Sequence, residues 1–296
     1  MARHDRAYGL AVAQALFVTF LWSTSWVLIK WGLAEIPALT FAGLRYTLAF
    51  LLLLPWLLRR ADSRASIRRL TRRQITSLVL LGLIGYTITQ GSQFVALGLL
   101  PAVTLSLLLS FTPIAVALLS GLTLGEPLHR TQWLGLLVFL LGALIYFGLS
   151  LPAGMGVGLG VGLLMLVTNV YWSITGRAIN RSGEIPALLV TAVSMGVGSV
   201  ALLGVGVAVQ GLPTLSWRAW LIIGWLAAVN TAFAFTLWNQ TQRTLPAVVS
   251  SVINNTMLIQ VAILAWLFLG ERPGPRELVG LALASVGALV VQARRR

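Results

Sequence analysis

The chain offers seven carboxylates for acid or base chemistry: Asp5, Glu35, Asp62, Glu126, Glu184, Glu271 and Glu277. All of them fall between or at the ends of long apolar runs, as do its two histidines, His4 and His129. General acid–base catalysis, a Ser-His-Asp triad or a proton relay within a membrane would need such groups together inside the fold. No HExxH spacing, Walker motif or cysteine is present, so the sequence suggests neither a metal site nor a cofactor nor ATP coupling. What the apolar runs do contain is neutral: amides, hydroxyls and large aromatic rings.

These neutral groups recur at helical spacing. Tyr86, Gln90 and Gln93 stand at i, i+4 and i+7, on one face of a helix. Ser106 and Ser110 share a face in the next run. A shift of 145 residues carries the first set onto Thr231, Phe235 and Trp238, and the second onto Ser251 and Asn255, with Asn254 adjacent. Likewise Thr19 and Trp22 match Asn169 and Trp172 at a shift of 150. A buried serine or threonine ordinarily bonds its own helix. An amide carries donors and acceptors that a helix backbone cannot both satisfy, so these amides point to helix–helix contacts or to a wet cavity. Arg45 is the one charge well inside a run; a structural role is expected for it, with contact to a substrate carboxylate as the alternative.

The elements that must position these residues are membrane helices. Hydrophobic residues make up 58% of the 296 and charged ones 9%, which is far from a soluble composition. The apolar stretches are continuous rather than alternating and long enough to cross about 30 Å of hydrocarbon, which excludes a β-barrel. Ten spans are expected, near 11–33, 38–58, 75–98, 101–121, 131–150, 157–179, 186–210, 217–240, 246–269 and 276–292. The first is of full length and lacks a small-residue cleavage site, so it is expected to stay in place. The fold class is therefore all-α integral membrane protein.

Leu100–Glu126 and Leu245–Glu271 share a Leu-Pro opening and a Gly-Glu ending, and beyond them Gly135 and Gly142 match Gly280 and Gly287. Glu35-Ile-Pro-Ala-Leu39 returns at Glu184-Ile-Pro-Ala-Leu188. The chain reads as two five-helix repeats, 1–150 and 151–296. With the N-terminus inside, sixteen cations lie on the cytoplasmic side and four, Lys30, Arg218, Arg272 and Arg276, outside. That asymmetry places both termini in the cytoplasm. Five spans per repeat then force the two copies to insert in opposite senses, as in many secondary transporters. The net charge of +14 lies at membrane edges, where topology and anionic lipid account for it without nucleic acid. The glycines from Gly154 to Gly162 that open the sixth span have the spacing of a close helix contact. Pro113, whose counterpart is Leu258, is expected to kink the fourth span and could serve a gate.

The doubled Pro101 to Gly125-Glu126 and Pro246 to Gly270-Glu271 segments, with Trp22-Ser23, Lys30, Arg45 and Ala49, resemble the EamA family of the drug/metabolite transporter superfamily. Within it the overall pattern is most similar to bacterial exporters of amino acids, aromatic ones included. The resemblance implies a bacterial inner-membrane carrier of small metabolites working by alternating access. It also implies a central cavity lined by spans 1, 3, 4, 6, 8 and 9. Glu126 and Glu271 match the family's helix-end glutamates, and each is expected to act structurally at the start of the helix that follows it. The expected function is export of neutral, aromatic-type amino acids by facilitated diffusion or exchange, not enzymatic catalysis. A multidrug exporter and a lipid-modifying membrane enzyme are the alternatives. Expected partners are the solute and membrane lipid, with no obligate protein partner evident.

Overall fold

Helices in the computed structural model coincide with each of the ten expected apolar runs. The structure describes every residue except Met1, 60–65, 68, 113, 117–118, 120–129, 148–153, 183, 242–243, 246 and 293–296; the side chains of 2–7, 177, 180–182, 187, 239, 247–252 and 292 also lie outside the description. We label the helices α1 (Ala2–Gly32), α2 (Ala38–Arg59), α3 (Arg72–Leu99), α4 (Ala102–Leu109), α5 (Arg130–Phe147), α6 (Gly156–Ser182), α7 (Ala187–Gln210), α8 (217–241), α9 (Ala247–Leu269) and α10 (Pro275–Gln292). Among the described residues seven helices are long and apolar enough to cross a membrane, and no strand occurs. The remaining three are α4, α9 and α10; the apolar parts of α4 and α9 run as Ala102–Val116 and Ile253–Leu269.

The outer faces match a lipid surround. On α5, one stripe of Gly135, Phe139, Gly142 and Tyr146 is buried. The opposite stripe, Leu134, Leu137, Leu141 and Leu144, is exposed, Leu134 by 61%. A helix in water would present polar residues there. This helix is apolar on both sides, which makes the chain a multi-pass membrane protein.

The chain forms two compact units, each drawn from both halves of the sequence. Unit 1 comprises Met1–Val27, Leu99–Val157 and Phe233–Arg296; unit 2 comprises Leu28–Gly98 and Gly158–Ala232. In unit 1, α5 lies against α10, and α9 packs on both α4 and α10. The duplicated glycines bring α5 and α10 together. A Cβ on Gly142 would lie 2.7 Å from the Gly280 carbonyl oxygen, and one on Gly287 would lie 2.7 Å from that of Gly135. Contact runs from Gly135 with Val291 to Tyr146 with Gly280, so these repeat mates are antiparallel.

Unit 2 repeats the arrangement with α2 and α7. Thr40 meets Gly206, Gly43 meets Leu203 and Phe50 meets Gly196, again an antiparallel pair of mates. An apolar cluster of Leu57, Leu78, Leu81, Ile185, Leu189 and Val190 joins α2, α3 and α7. The glycine run opening α6 is buried at one pair of helical spacing and open at the rest. Gly158 and Gly162 are buried, but a Cβ on Gly154, Gly156 or Gly160 would meet nothing within 4 Å among the described residues.

The loop carboxylates hold helix starts. Ser216 caps α8, and Glu35 accepts from its backbone N–H at 2.5 Å and its hydroxyl at 2.8 Å. These two bonds hold the Glu35 carboxyl below the usual carboxylate range. Thr71, the repeat mate of Ser216, caps α3 in a capping box with Gln74. Gln74 in turn donates to Glu184, the mate of Glu35, at 2.8 Å. Each Glu-Ile-Pro-Ala-Leu loop thus clasps the third helix of the opposite repeat.

Two wide turns interrupt this regular picture. Leu83–Gln90 in α3 and Ala228–Phe233 in α8 are π-helical, and they begin at positions related by the same shift of 145. Thr89 and Thr231 donate their hydroxyls to carbonyls five residues back, Ile84 and Leu226, at 2.8 Å. Such turns concentrate at functional sites, and here they carry Tyr86, Gln90 and Thr231.

Candidate substrate site

In unit 2 the π turn of α3 carries Tyr86, only 2% exposed, between two other rings. Tyr46 of α2 and Trp172 of α6 each stand edge-on to it, with centroids 5.5 Å away. Edge-to-face geometry sets the positive rim of one ring against the face of the next. Trp172 can come this close because residue 85 is glycine: a Cβ there would strike its indole nitrogen. The Tyr46 hydroxyl donates to Gln90 Oε1 at 2.7 Å, so Tyr86 and Gln90 do share a face. Gln93 and Asn169 are half-buried nearby in sequence on α3 and α6.

Arg45 stands in the same group. It is 5% exposed, its Nε donates to Thr231 Oγ1 at 3.2 Å, and its guanidinium lies 5.0 Å from the Tyr46 ring centroid and 5.9 Å from that of Phe94. Among the described residues no carboxylate pairs with it. Burying a charge without an opposite charge costs several kcal/mol, of which each desolvated cation–π contact returns about 2 kcal/mol. These contacts are compatible with both roles open to Arg45 from the sequence, structural or in contact with a substrate carboxylate: it lies beside Tyr46 and bonds Thr231.

In unit 1 the aromatic group is built from α1 and α8. Trp22 lies 5.4 Å from Phe235 and 5.2 Å from Trp238, tilted against both. Its indole N–H is buried and finds no acceptor among the described residues, and the same holds for the Asn255 side-chain nitrogen on α9. A buried donor left unpaired costs about 1–3 kcal/mol, so a native fold retains it for a reason. Asn254, beside it, is exposed, and the side chain of Ser251 lies outside the described residues. Ser106 and Ser110 donate to the Val103 and Ser106 carbonyls of their own helix, each at 2.9 Å. The α8 stripe is thus divided: Thr231 serves unit 2, while Phe235 and Trp238 serve unit 1.

Sequence reasoning passed over Gln260, the hub between α1 and α9. Its Oε1 accepts from Ser23 at 2.9 Å, and its Nε2 donates to Thr256 at 2.9 Å and Thr19 at 3.3 Å. An amide in mid-span was the available signal. Its repeat mate is Ala115, so a search by symmetry slid past it. Tyr46 was missed in the same way beside the more conspicuous Arg45.

Glu271 corrects an expectation. It was placed at the start of the following helix, α10. Its two carboxylate oxygens instead accept from the backbone N–H groups of Ala102 and Val103, at 2.7 and 3.1 Å, and so cap α4. The start of α10 is held by its own Glu277, which accepts from Gly274 at 2.7 Å. Glu126 and Pro113 lie outside the described residues. A cavity of about 240 Å³ opens at this end of unit 1, lined by Thr104, Tyr146, Glu271, Arg272, Arg276 and Glu277 among others. It does not include the Trp22 group, and its two acids are engaged in the caps just described.

Apolar helices of crossing length, with amides and aromatic rings in mid-helix, define a multi-pass membrane protein that keeps neutral polar groups inside its helices. The comparisons with known proteins agree. The chain belongs to the EamA-like transporter family, which matches it twice, over residues 9–148 and 159–292.

The chain is similar to the "S-adenosylmethionine/S-adenosylhomocysteine transporter" of Chlamydia trachomatis serovar L2. That match is 25% identical and covers 95% of this chain and 89% of the relative. It is similar also to the "Probable amino-acid metabolite efflux pump" of Escherichia coli K12, 27% identical over 76% of this chain and 75% of the relative. For two Bacillus subtilis relatives, both named as uncharacterized transporters, the aligned part spans 65% and 92% of their own length. A solved crystal structure superposes with a TM-score of 0.68 at 19% identity, covering 96% of this chain and 97% of that one, which is a likeness of fold.

Proposed function

We propose that the chain exports neutral amino acids, aromatic ones among them, across the bacterial inner membrane by alternating access. In this reading two inverted five-helix repeats, 1–150 and 151–296, rock about a midplane site, with both termini in the cytoplasm. The antiparallel contacts of α2 with α7 and of α5 with α10 support the inversion. The bonds from Glu35 to Ser216 and from Gln74 to Glu184 support ten alternating crossings, since each joins loops that this topology assigns to one side.

The observation that carries the proposal is the Trp22 group. Two buried donors, on Trp22 and Asn255, find no acceptor among the described residues, and two aromatic rings flank the first of them. A solute with a carboxylate end and an apolar end supplies both needs. The solutes named for the two relatives point the same way, since S-adenosylmethionine itself ends in an α-amino acid. No acid among the described mid-span residues is at hand to hold a cationic drug or to carry a proton, which favours exchange or facilitated diffusion of a neutral solute.

Replacing the amide should weaken every substrate alike, whereas replacing the ring should change their order. Asn255→Ala is expected to lower transport of large and small amino acids equally, by roughly ten- to a hundredfold, the worth of a hydrogen bond to a charged group. Trp238→Ala is expected to cost aromatic substrates more than small ones, since ring contact is selective only by a few kcal/mol at most. Initial rates for phenylalanine and alanine decide it. Full activity in Asn255→Ala together with an unchanged order in Trp238→Ala would put the site elsewhere.

A further inference from the structure

We propose that Arg45 makes a second carboxylate-binding station, within unit 2 and distinct from the Trp22 group of unit 1, a role that rests on the amino-acid reading above but is tested apart from it. An intramembrane arginine ordinarily snorkels toward the nearer surface. Arg45 does the reverse. The starts of α2 and α8 lie together, since Glu35, three residues before α2, bonds Ser216, the residue before α8. Arg45 is seven residues into α2, about 10 Å at 1.5 Å per residue, whereas its partner Thr231 is fourteen residues into α8, about 21 Å. The side chain therefore reaches inward, to the π turn of α8.

There its geometry is that of a prepared anion site. Of the five guanidinium N–H donors, the structure engages the one on Nε. The Tyr46 and Phe94 rings contact the guanidinium and help fix its plane. No acid among the described residues meets the two terminal nitrogens, whose parallel N–H bonds match the two oxygens of a carboxylate. Gln90 accepts from Tyr46 through its oxygen, which leaves its NH₂ group to donate to the same anion. Tyr86, edge-on to Tyr46, and Trp172 beyond it offer ring surface for an ammonium or an aromatic side chain. The solute this arrangement selects carries a carboxylate; a purely cationic compound would meet a buried like charge.

The test uses the full-length protein in proteoliposomes and three probes in mildly acidic buffer. Phenylalanine carries both charged ends, phenylalaninamide lacks the carboxylate, and N-acetylphenylalanine lacks the ammonium. The wild-type protein should move the two carboxylates roughly tenfold faster than the amide or more, and Arg45→Gln should narrow that ratio to about twofold while still moving the amide. Thr231→Val, which removes the Nε acceptor and keeps the charge, should narrow it less. A wild-type protein that moves the amide as fast as the acids overturns the assignment, and so does an Arg45→Gln protein that keeps the wild-type ratio. If N-acetylphenylalanine is carried and phenylalanine refused, the amino-acid reading fails while the role of Arg45 stands.

Discussion

Gly142→Leu is expected to abolish the native packing of unit 1. A Cβ at this position would come within 2.7 Å of the Gly280 oxygen and 2.9 Å of the Leu283 carbonyl carbon, and would meet the Ala284 nitrogen more closely still. These are backbone atoms of α10, which cannot rotate aside as a side chain could. The helices would have to separate, and the duplicated contact of Gly135 with Gly287 lies on the same seam. Overpacking ordinarily costs about 1–3 kcal/mol, and a leucine wedged against backbone belongs at or above the top of that range. Gly160→Leu is the matched control, since a side chain at Gly160 meets open space. Size-exclusion profiles and thermal unfolding in detergent should show loss of the monodisperse peak for Gly142→Leu and near wild-type behaviour for Gly160→Leu. Equal behaviour of the two would refute the glycine seam.

Glu271→Ala is expected to be the most damaging change to a charged residue in unit 1. Its carboxylate is the acceptor for two N–H groups in the first turn of α4, donors that an α-helix cannot satisfy internally. Hydrogen bonds to a charged group are worth about 1.5–3 kcal/mol, and the favourable field of the helix N-terminus adds to them. Water from the adjoining cavity can replace part of this, so a net loss of about 2–3 kcal/mol is expected. Glu271→Gln keeps one acceptor oxygen and should fall between. Thermal unfolding midpoints in the order wild type, Gln, Ala are the expected result; an Ala variant as stable as the wild type would mean that the capping bonds contribute nothing.

The sequence made the helices legible because lipid imposes a length and a composition on each of them. It also singled out Gly135, Gly142, Gly280 and Gly287 as matched positions. What it could not supply was that matched glycines touch one another, since antiparallel packing of mates is a property of the folded pair. Local rules failed in the same way for Glu271. They point a helix-end carboxylate to the next helix, and the actual partner lies 169 residues back in the chain.

The π turns at Leu83 and Ala228 have no compositional mark, and without them the setting of Tyr86 and Thr231 is invisible. The aromatic and amide stripes stand out in the sequence because hydrocarbon gives amides no partners. Rings and hydrogen-bonding groups occur together in both units: Tyr86 and Trp172 with Gln90 in unit 2, and Phe235 and Trp238 with the Trp22 indole in unit 1. The serines of α4 were the weakest part of the candidate site, because a hydroxyl can satisfy itself on its own helix, and Ser106 and Ser110 do so.

Counterflow by the wild-type protein tests the central claim most directly. Proteoliposomes loaded with unlabelled phenylalanine or leucine and diluted into a trace of the labelled amino acid should accumulate label transiently. The same accumulation should appear with and without a pH gradient, because the proposed mechanism uses no proton. A pH gradient alone, with no amino acid inside, should drive none. Failure of counterflow for every neutral amino acid, or accumulation that depends on the proton gradient, would contradict the account.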